Sequence, residues 1–382
     1  MMRRLVVFLS LAALLTGCGG PILANEPAPH PVVTAPPTAT PGPGDPQPIR
    51  LPADDAPHDR LTEWWYYTGH LVDENGGRWG FEYVVFRARR GEFPVSWASH
   101  LALTDETGGA FHYAQRSEIG PQVDVGTGSG FSFSIAGAPG PDGTAAGTPW
   151  TMAGSDGNDQ LAARAEPGEV EGDPVDGFGL LLRLHAFRSP AYQGADGWID
   201  FGPAGGSYYY SRTGINVDQG FILVGGQWLQ VSGSAWFDHQ WGDFISVGAG
   251  GWDWFAINLG DGTDLSLSLV RAADGSYPLV YGTLVDDEGV THHLDRSAFA
   301  VSVTGHWTSP ATRARYPAGW RIALPGQDLV IDLSPTVAQQ ELDTRATSGV
   351  VYWEGSQRVE AWRAGQPVAG EAYVELTGYA GR

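Results

Sequence analysis

The sequence predicts an all-β protein, and three observations predict it: apolar residues alternate in many short runs, turn dipeptides separate the runs, and no capped helical period follows the N-terminal leader. Phe131-Ser132-Phe133-Ser134-Ile135 and Leu265-Ser266-Leu267-Ser268-Leu269 alternate at every step, as a strand with one wet and one dry face requires. Trp79, Phe81, Tyr83 and Val85 share one face of another run, and Leu180, Leu182 and Leu184 share one face of a third. Between the runs stand Asn75-Gly76-Gly77, Asp142-Gly143, Asp261-Gly262, Asp274-Gly275 and Glu288-Gly289, all hairpin signals. Pro335 to Leu342 is the one stretch expected to form a short helix. With 54 glycines and strands this frequent, a barrel or sandwich is the expected architecture.

The N-terminus reads as an export address. Arg3 and Arg4 precede an apolar core, Leu5 to Leu15, too short to span a bilayer. Leu15-Thr16-Gly17-Cys18 follows and resembles the bacterial lipobox, which implies a signal peptide over residues 1–18 and acylation of Cys18. Two or three acyl chains on one residue anchor a protein stably where a single chain does not. Residues 19–50 hold ten of the 27 prolines and no aromatic residue, so they read as a disordered tether. The expected location is the cell envelope, with the chain lipid-anchored on the extracytoplasmic side of a bacterial membrane.

Composition excludes several chemistries. Cys18 is the only cysteine in 382 residues, so no internal disulfide, thiolate nucleophile or cysteine-ligated metal is available once it is lipidated. All 22 basic residues are arginine, which removes lysine Schiff-base mechanisms. A net charge of -21 argues against nucleic acid and anionic lipid headgroups as partners.

An internal echo divides the folded part. Trp64-Trp65-Tyr66 leads through a turn into Phe81 to Arg87, and Trp252-Asp253-Trp254-Phe255 leads through a shorter turn into Leu265 to Arg271. Tandem barrels are expected, one over residues 51–214 and the other over 215–382.

Six strings, LTEWWYYTGHL (61–71), SYYYS (207–211), VSGSAWFDHQWG (231–242), GWDWF (251–255), YWEG (352–355) and YVELTGY (373–379), together resemble the AttH and carotenoid 1,2-hydratase family. The resemblance runs from about Pro52 to Gly381 and implies two tandem lipocalin-like antiparallel β-barrels. Activities known in the family include hydration of isolated double bonds in carotenoids and prenylated plant compounds, while many members have none established. The "secreted hydrolase" label that such proteins carry has no specific support in these residues.

Trp236-Phe237-Asp238-His239-Gln240-Trp241 is the densest chemistry. An extended strand places His239 with Phe237 and Trp241 on one face, and Asp238 with Trp236 and Gln240 on the other. His239 beside Trp241 is the favoured catalytic pair, because hydrating an alkene needs a proton donor and a surface that stabilises a carbocation. Asp238 is then an orienting or hydrogen-bond-accepting group. A histidine among aromatic residues is also a common packing element. The resemblance implies a tyrosine and an aspartate on a following strand, but that region here is Leu265 to Leu269, aliphatic and serine. Asp253 is the nearest substitute, its parity opposite to Trp252 and Trp254.

Glu63 is a second carboxylate candidate, as a protonated acid in a barrel mouth or as an acceptor for tyrosine or arginine. Trp64, Trp65, Tyr66, Tyr209, Trp236, Trp252 and Trp254 are candidate ligand-binding residues, with Tyr209 closing the first barrel or lining the junction. Tyr352-Trp353-Glu354 and Glu375 read as scaffold. His292-His293 project to opposite faces without a third ligand, so no metal and no cofactor is expected. No Gly-x-Ser-x-Gly elbow or phosphate loop occurs.

Two functions follow, and a third is weaker. One is binding of an apolar lipid or isoprenoid between or within the barrels. Its alternative is a hydro-lyase that adds water to an isolated C=C bond using His239, Trp241 and a carboxylate from Asp238, Glu63 or Asp253. The last is an envelope interaction module with the tryptophans as core. The natural ligand, the oligomeric state and the membrane leaflet stay open.

Overall fold

The computed structural model describes residues 44–137, 147–170, 177–244 and 249–380. Cys18, residues 19–43 of the expected tether and the Asp142-Gly143 turn lie outside them; the end of that tether is ordered rather than disordered, with Asp45 paired to Arg60 at 2.7 Å and Ile49 packed on the first core. Among the described residues the chain is strand throughout, with only three-residue 3₁₀ turns as helical elements. Pro335 to Leu342 is not a helix. Pro335 ends one strand and Glu341-Leu342 begins another, both hydrogen-bonded to a long neighbour that a helix would leave unpaired.

The first half comprises β1 (Thr62–Asp73), β2 (Arg78–Ala88), β3 (Ser96–Asp105), β4 (Ala110–Ile119), β5 (Phe131–Ile135) and β6 (Trp150–Ser155). It continues through β7 (Asn158–Ala165), β8 (Phe178–Ala186), β9 (Ala191–Tyr192), β10 (Trp198–Asp200), β11 (Gly206–Val224) and β12 (Gln227–Gly242). These form one antiparallel sheet in the order β4-β3-β2-β1-β12-β11-β8-β7-β6-β5, with β9 and β10 also on β11. The sheet curls around its own side chains. Trp65, Tyr67, Phe81, Tyr83, Trp97, Phe133 and Trp150 fill the interior, each at most 1% exposed.

The second half comprises β13 (Ala249–Leu259), β14 (Asp264–Ala272), β15 (Leu279–Val285), β16 (Thr291–Asp295), β17 (Ala300–Val303), β18 (His306–Thr308) and β19 (Arg315–Pro317). Then come β20 (Trp320–Leu324), β21 (Leu329–Pro335), β22 (Glu341–Asp343), β23 (Val351–Arg363), β24 (Gln366–Val368) and β25 (Gly370–Thr377). Its sheet runs β16-β15-β14-β13-β25-β23-β21-β20-β17, around a core that includes Phe255, Leu265, Leu267, Trp320 and Trp353. In each half the first strand pairs both with the next strand and with the last one, β1 with β2 and β12, β13 with β14 and β25. The internal echo in the sequence falls on these equivalent hairpins.

The division expected at residues 214 and 215 falls inside β11, and the first sheet ends only at Gly242. The turn that matters is Gly225-Gly226, at φ 55° and 74°, which joins β11 to β12 as a two-residue hairpin loop. Left-handed backbone at both central positions matches the twist of the flanking strands and favours glycine.

The halves dock through the outer faces of their sheets. Tyr66, Val84, Phe86, Trp236, Trp254 and Tyr373 form a buried apolar cluster there. Hydrogen bonds cross the junction from His70 Nε2 to the Ala372 carbonyl (3.1 Å), from Thr104 to Gln340 (2.8 Å) and from Thr213 to Asp264 (2.6 Å). The strands β1, β2 and β12 are therefore buried on both faces, one inside the barrel and one against the other half.

Candidate active site

Between the docked faces lies a cavity, open at its mouth, with a volume for water-sized groups of ≈ 80 Å³. That is room for about five to eight such groups, at ~10–15 Å³ each. Trp64 and Tyr66 from β1, Phe86 from β2, and Trp252 and Trp254 from β13 supply its aromatic wall, joined by Tyr209 and Tyr281. Three carboxyl groups line it as well: Glu82 on β2, Asp238 on β12 and Glu375 on β25.

The predicted alternation of β12 is intact, but the favoured face is the wrong one for this cavity. Asp238 and Gln240 line it, and Trp236 packs beside it and donates from Nε1 to Asp238 Oδ1 at 2.8 Å. Phe237, His239 and Trp241 point into the filled first barrel. His239 is fully buried, stacked on Trp65 at 4.6 Å, and its Nε2 lies 3.0 Å from Glu63 Oε1. His58 Nδ1 reaches the same oxygen at 2.7 Å, with its ring stacked on Trp241 at 4.1 Å. Glu63 is thus an ionised acceptor inside the barrel. Burial opposes the charge, yet the bonds from His239 and His58 outweigh it and hold Glu63 below the ordinary glutamate range.

His58, Glu63 and His239 are the group among the described residues whose donor atoms, within 4.8 Å of one another, could hold a metal ion. Convergence of both imidazoles on a single carboxylate oxygen accounts for that closeness by hydrogen bonding alone.

Asp253 does not join the cavity either. It pairs with Arg271 (2.8 Å) and accepts bonds from Tyr277 (3.0 Å) and Tyr379 (2.9 Å), on the face opposite Trp252 and Trp254 as its parity requires. Of the proposed ligand-binding residues, Trp64, Tyr66, Tyr209, Trp252 and Trp254 reach the cavity, whereas Trp65 is barrel core.

Glu82 is the residue that sequence reasoning missed, and Glu375, expected to be scaffold, lines the cavity instead. Glu82 sits among Val84 and Phe86 on the second face of a strand whose first face is already apolar. A run apolar on both faces signals burial on both sides, and a carboxylate embedded in it was the available clue.

Environment sets the three acids apart. Burial raises Asp238 to about 6, although Ser211 (2.5 Å), Tyr209 (2.5 Å) and Trp236 all donate to it. Burial lifts Glu375 to about 7 against a bond from Trp252 Nε1 (2.9 Å), helped by the charge of Asp238. Burial carries Glu82 to about 8 despite its contact with Tyr352, and the charge of Glu375 adds to the rise. Near neutral pH the cavity therefore holds an ionised Asp238 and a largely protonated Glu82, with Glu375 between them. Glu82 is fully buried, and its Oε2 has no hydrogen-bond partner. Behind the wall, Glu354 accepts from Tyr66 (2.7 Å) and is likewise raised by burial.

The raised Glu82 pKa has a thermodynamic signature. An unfolded chain keeps the ordinary value near 4.5, so between that pH and about 8 the native state holds a proton that the unfolded state has lost. Stability from this group is therefore greatest below pH 4.5, falls as pH rises, and levels above pH 8. Glu82→Gln is expected to melt higher than the parent at pH 8, with the gap closing toward pH 5. Thermal melts of both proteins across that range check it, and a constant gap would contradict the assignment.

Two β-barrel halves with an acid-lined aromatic cavity at their junction define a double-barrel class of protein. The chain belongs to the AttH-like family, whose description matches residues 43–379. It is similar to the crystal structure of a protein assigned to AttH from Nitrosomonas europaea, at 29% identity and TM-score 0.73, over 88% of this chain and 98% of that one. Kievitone hydratase from Nectria haematococca shares the fold at 16% identity and TM-score 0.61, over 89% of this chain and 96% of that one. Among curated proteins nothing matches.

Proposed function

We propose that this protein is an envelope lipoprotein that encloses the apolar, unsaturated end of a ligand between its barrels and adds water to an isolated C=C bond. The observation that carries this reading is the pairing of neutral-range carboxylic acids with indole rings in one cavity. Glu375, half-buried and held by Trp252, is the proton donor. Its proton goes to the less substituted alkene carbon, and the π electrons form the new C–H bond. The resulting tertiary cation lies against Trp64, Trp252 and Trp254, each indole face contributing about 0.5–2 kcal/mol, and the ionised Asp238 opposes its charge. Water then bonds to the cation and, as its proton passes to Glu82 Oε2, the neutral Glu82 gives up the proton on Oε1 to the Tyr352 hydroxyl. Glu375 recovers its proton through the cavity, so the sum is alkene plus water to alcohol.

Room for about five to eight water-sized groups suits one prenyl unit, with the rest of the ligand reaching out through the mouth. Kievitone hydratase, which has this fold, is named for a hydration; at its identity the likeness speaks to fold alone, and the acids carry the chemical reading.

The test is incubation of purified protein with isoprenoids that carry a terminal trisubstituted alkene in deuterated water. Product with the mass of one added water and one carbon-bound deuterium is expected. Recovery of bound lipid by native mass spectrometry without turnover of any such compound would leave enclosure and remove the hydratase step.

A further inference from the structure

The geometry points to a proton relay that runs from Glu82 through Tyr352 and His100 to Thr347, linking the cavity to solvent on the far side of the junction between the halves. Glu82 is on β2, His100 on β3, Tyr352 on β23, and Thr347 lies in the half-buried loop that precedes β23. The contacts are Glu82 Oε1 to the Tyr352 hydroxyl at 2.9 Å, that hydroxyl to His100 Nδ1 at 2.7 Å, and His100 Nε2 to Thr347 Oγ1 at 3.1 Å.

Hydrogen-bond direction along this chain is set from its outer end. Gln115 donates from Nε2 to the Asp343 carbonyl at 2.8 Å, which turns its Oε1 toward Thr347. The Thr347 hydroxyl has acceptors only as its other neighbours, Gln115 Oε1 at 2.7 Å and the Thr344 carbonyl at 3.3 Å, so its hydrogen goes to one of them. His100 Nε2 must then be the donor to Thr347. Fully buried, and with burial pushing its pKa down to about 3, His100 stays neutral and its Nδ1 is a bare acceptor. The Tyr352 hydrogen fills the short contact to Nδ1. Only a proton on Glu82 itself can then satisfy the contact between Glu82 Oε1 and the phenol oxygen. Two short contacts and a single phenol hydrogen thus require Glu82 to be a carboxylic acid, and its titration upward agrees.

In this polarity the chain passes a proton outward without charging any member. A proton arriving on Glu82 Oε2 releases the one on Oε1 to Tyr352, whose own goes to His100 Nδ1. The proton of Nε2 moves to the half-buried Thr347, whose own hydroxyl hydrogen turns away from Gln115 Oε1 and leaves to solvent. The inference deepens the proposed hydration, since Oε2 is where the attacking water would leave its proton, but the relay exists without any substrate.

Infrared spectroscopy of the full chain tests it. The carbonyl stretch of protonated Glu82 is assigned by its loss in Glu82→Gln, and its shift is followed after transfer to deuterated water. Thr347→Val is expected to slow that shift about ten-fold or more, because exchange is then left to the cavity side, where Glu82 is fully buried, and to local opening, whereas Thr347→Ser keeps the parent rate. Tyr352→Phe, which removes the next hydroxyl, is expected to slow it as well. A folded Thr347→Val or Tyr352→Phe exchanging at the parent rate would overturn the relay, as would a Thr347→Ser as slow as the valine variant. Hydration plays no part in the readout, so loss of the hydratase reading leaves this result standing.

Discussion

Glu375→Gln is expected to lose about 10²–10⁴-fold in hydration turnover, the range that a positioned general acid contributes. Glutamine keeps the shape and can still accept from Trp252 Nε1, so the aromatic wall stays in place. It has no acidic proton to give, and an unactivated alkene is not protonated by water at neutral pH. Affinity for the ligand should change little, which places the loss in the chemical step rather than in binding. Asp238→Asn removes the charge facing the cation and is expected to cost less, because Tyr209 and Ser211 keep the side chain oriented. Steady-state product formation and ligand titration on the same preparations measure both terms. Full turnover by Glu375→Gln would end its assignment as the acid.

The second large effect is on stability and falls inside the first barrel. Glu63→Ala should destabilise the protein by about 3–5 kcal/mol, the cost of breaking a buried hydrogen-bonded pair by removing one partner. Two imidazoles and the backbone N–H of His58 (2.9 Å) lose their acceptor together, and Arg87, 4.0 Å from Glu63, keeps only Asp59 at 3.9 Å. Because the folded Glu63 pKa is depressed, its contribution is present above the ordinary value of 4.5 and disappears as pH falls through the folded one. Urea unfolding at pH 7 and pH 4 should therefore show a smaller difference from the parent at the lower pH. His239→Ala is expected to share the loss of stability and to leave turnover within a few-fold. A His239→Ala protein that is fully stable but inactive would move the chemistry back to the barrel interior.

This contrast marks how far the sequence could be read. Alternation in β12 was legible residue by residue, including which side chains travel with His239 and which with Asp238. What it could not say was which side of the strand faces open space. The usual rule, one wet face and one dry, has no purchase where both faces are dry. Trp65 and Tyr66 are both buried for different reasons, one among barrel side chains and the other against a second sheet. Glu82 went unnoticed for the same cause, as did the β11–β12 hairpin, whose 19-residue first strand runs through the expected boundary without any change in composition.

Local chemistry in the chain decided that it forms strands, where most of them turn, and that paired hairpins recur in two halves, because those properties depend on neighbours along the backbone. Docking of the halves decided the rest. It brought β2, β12, β13 and β25 together from positions up to 293 residues apart, raised carboxyl groups from 4.5 to about 7 and 8 by removing water, and joined His100 to Tyr352. Burial and proximity between distant segments are properties of the closed surface, and no pattern of adjacent residues encodes them.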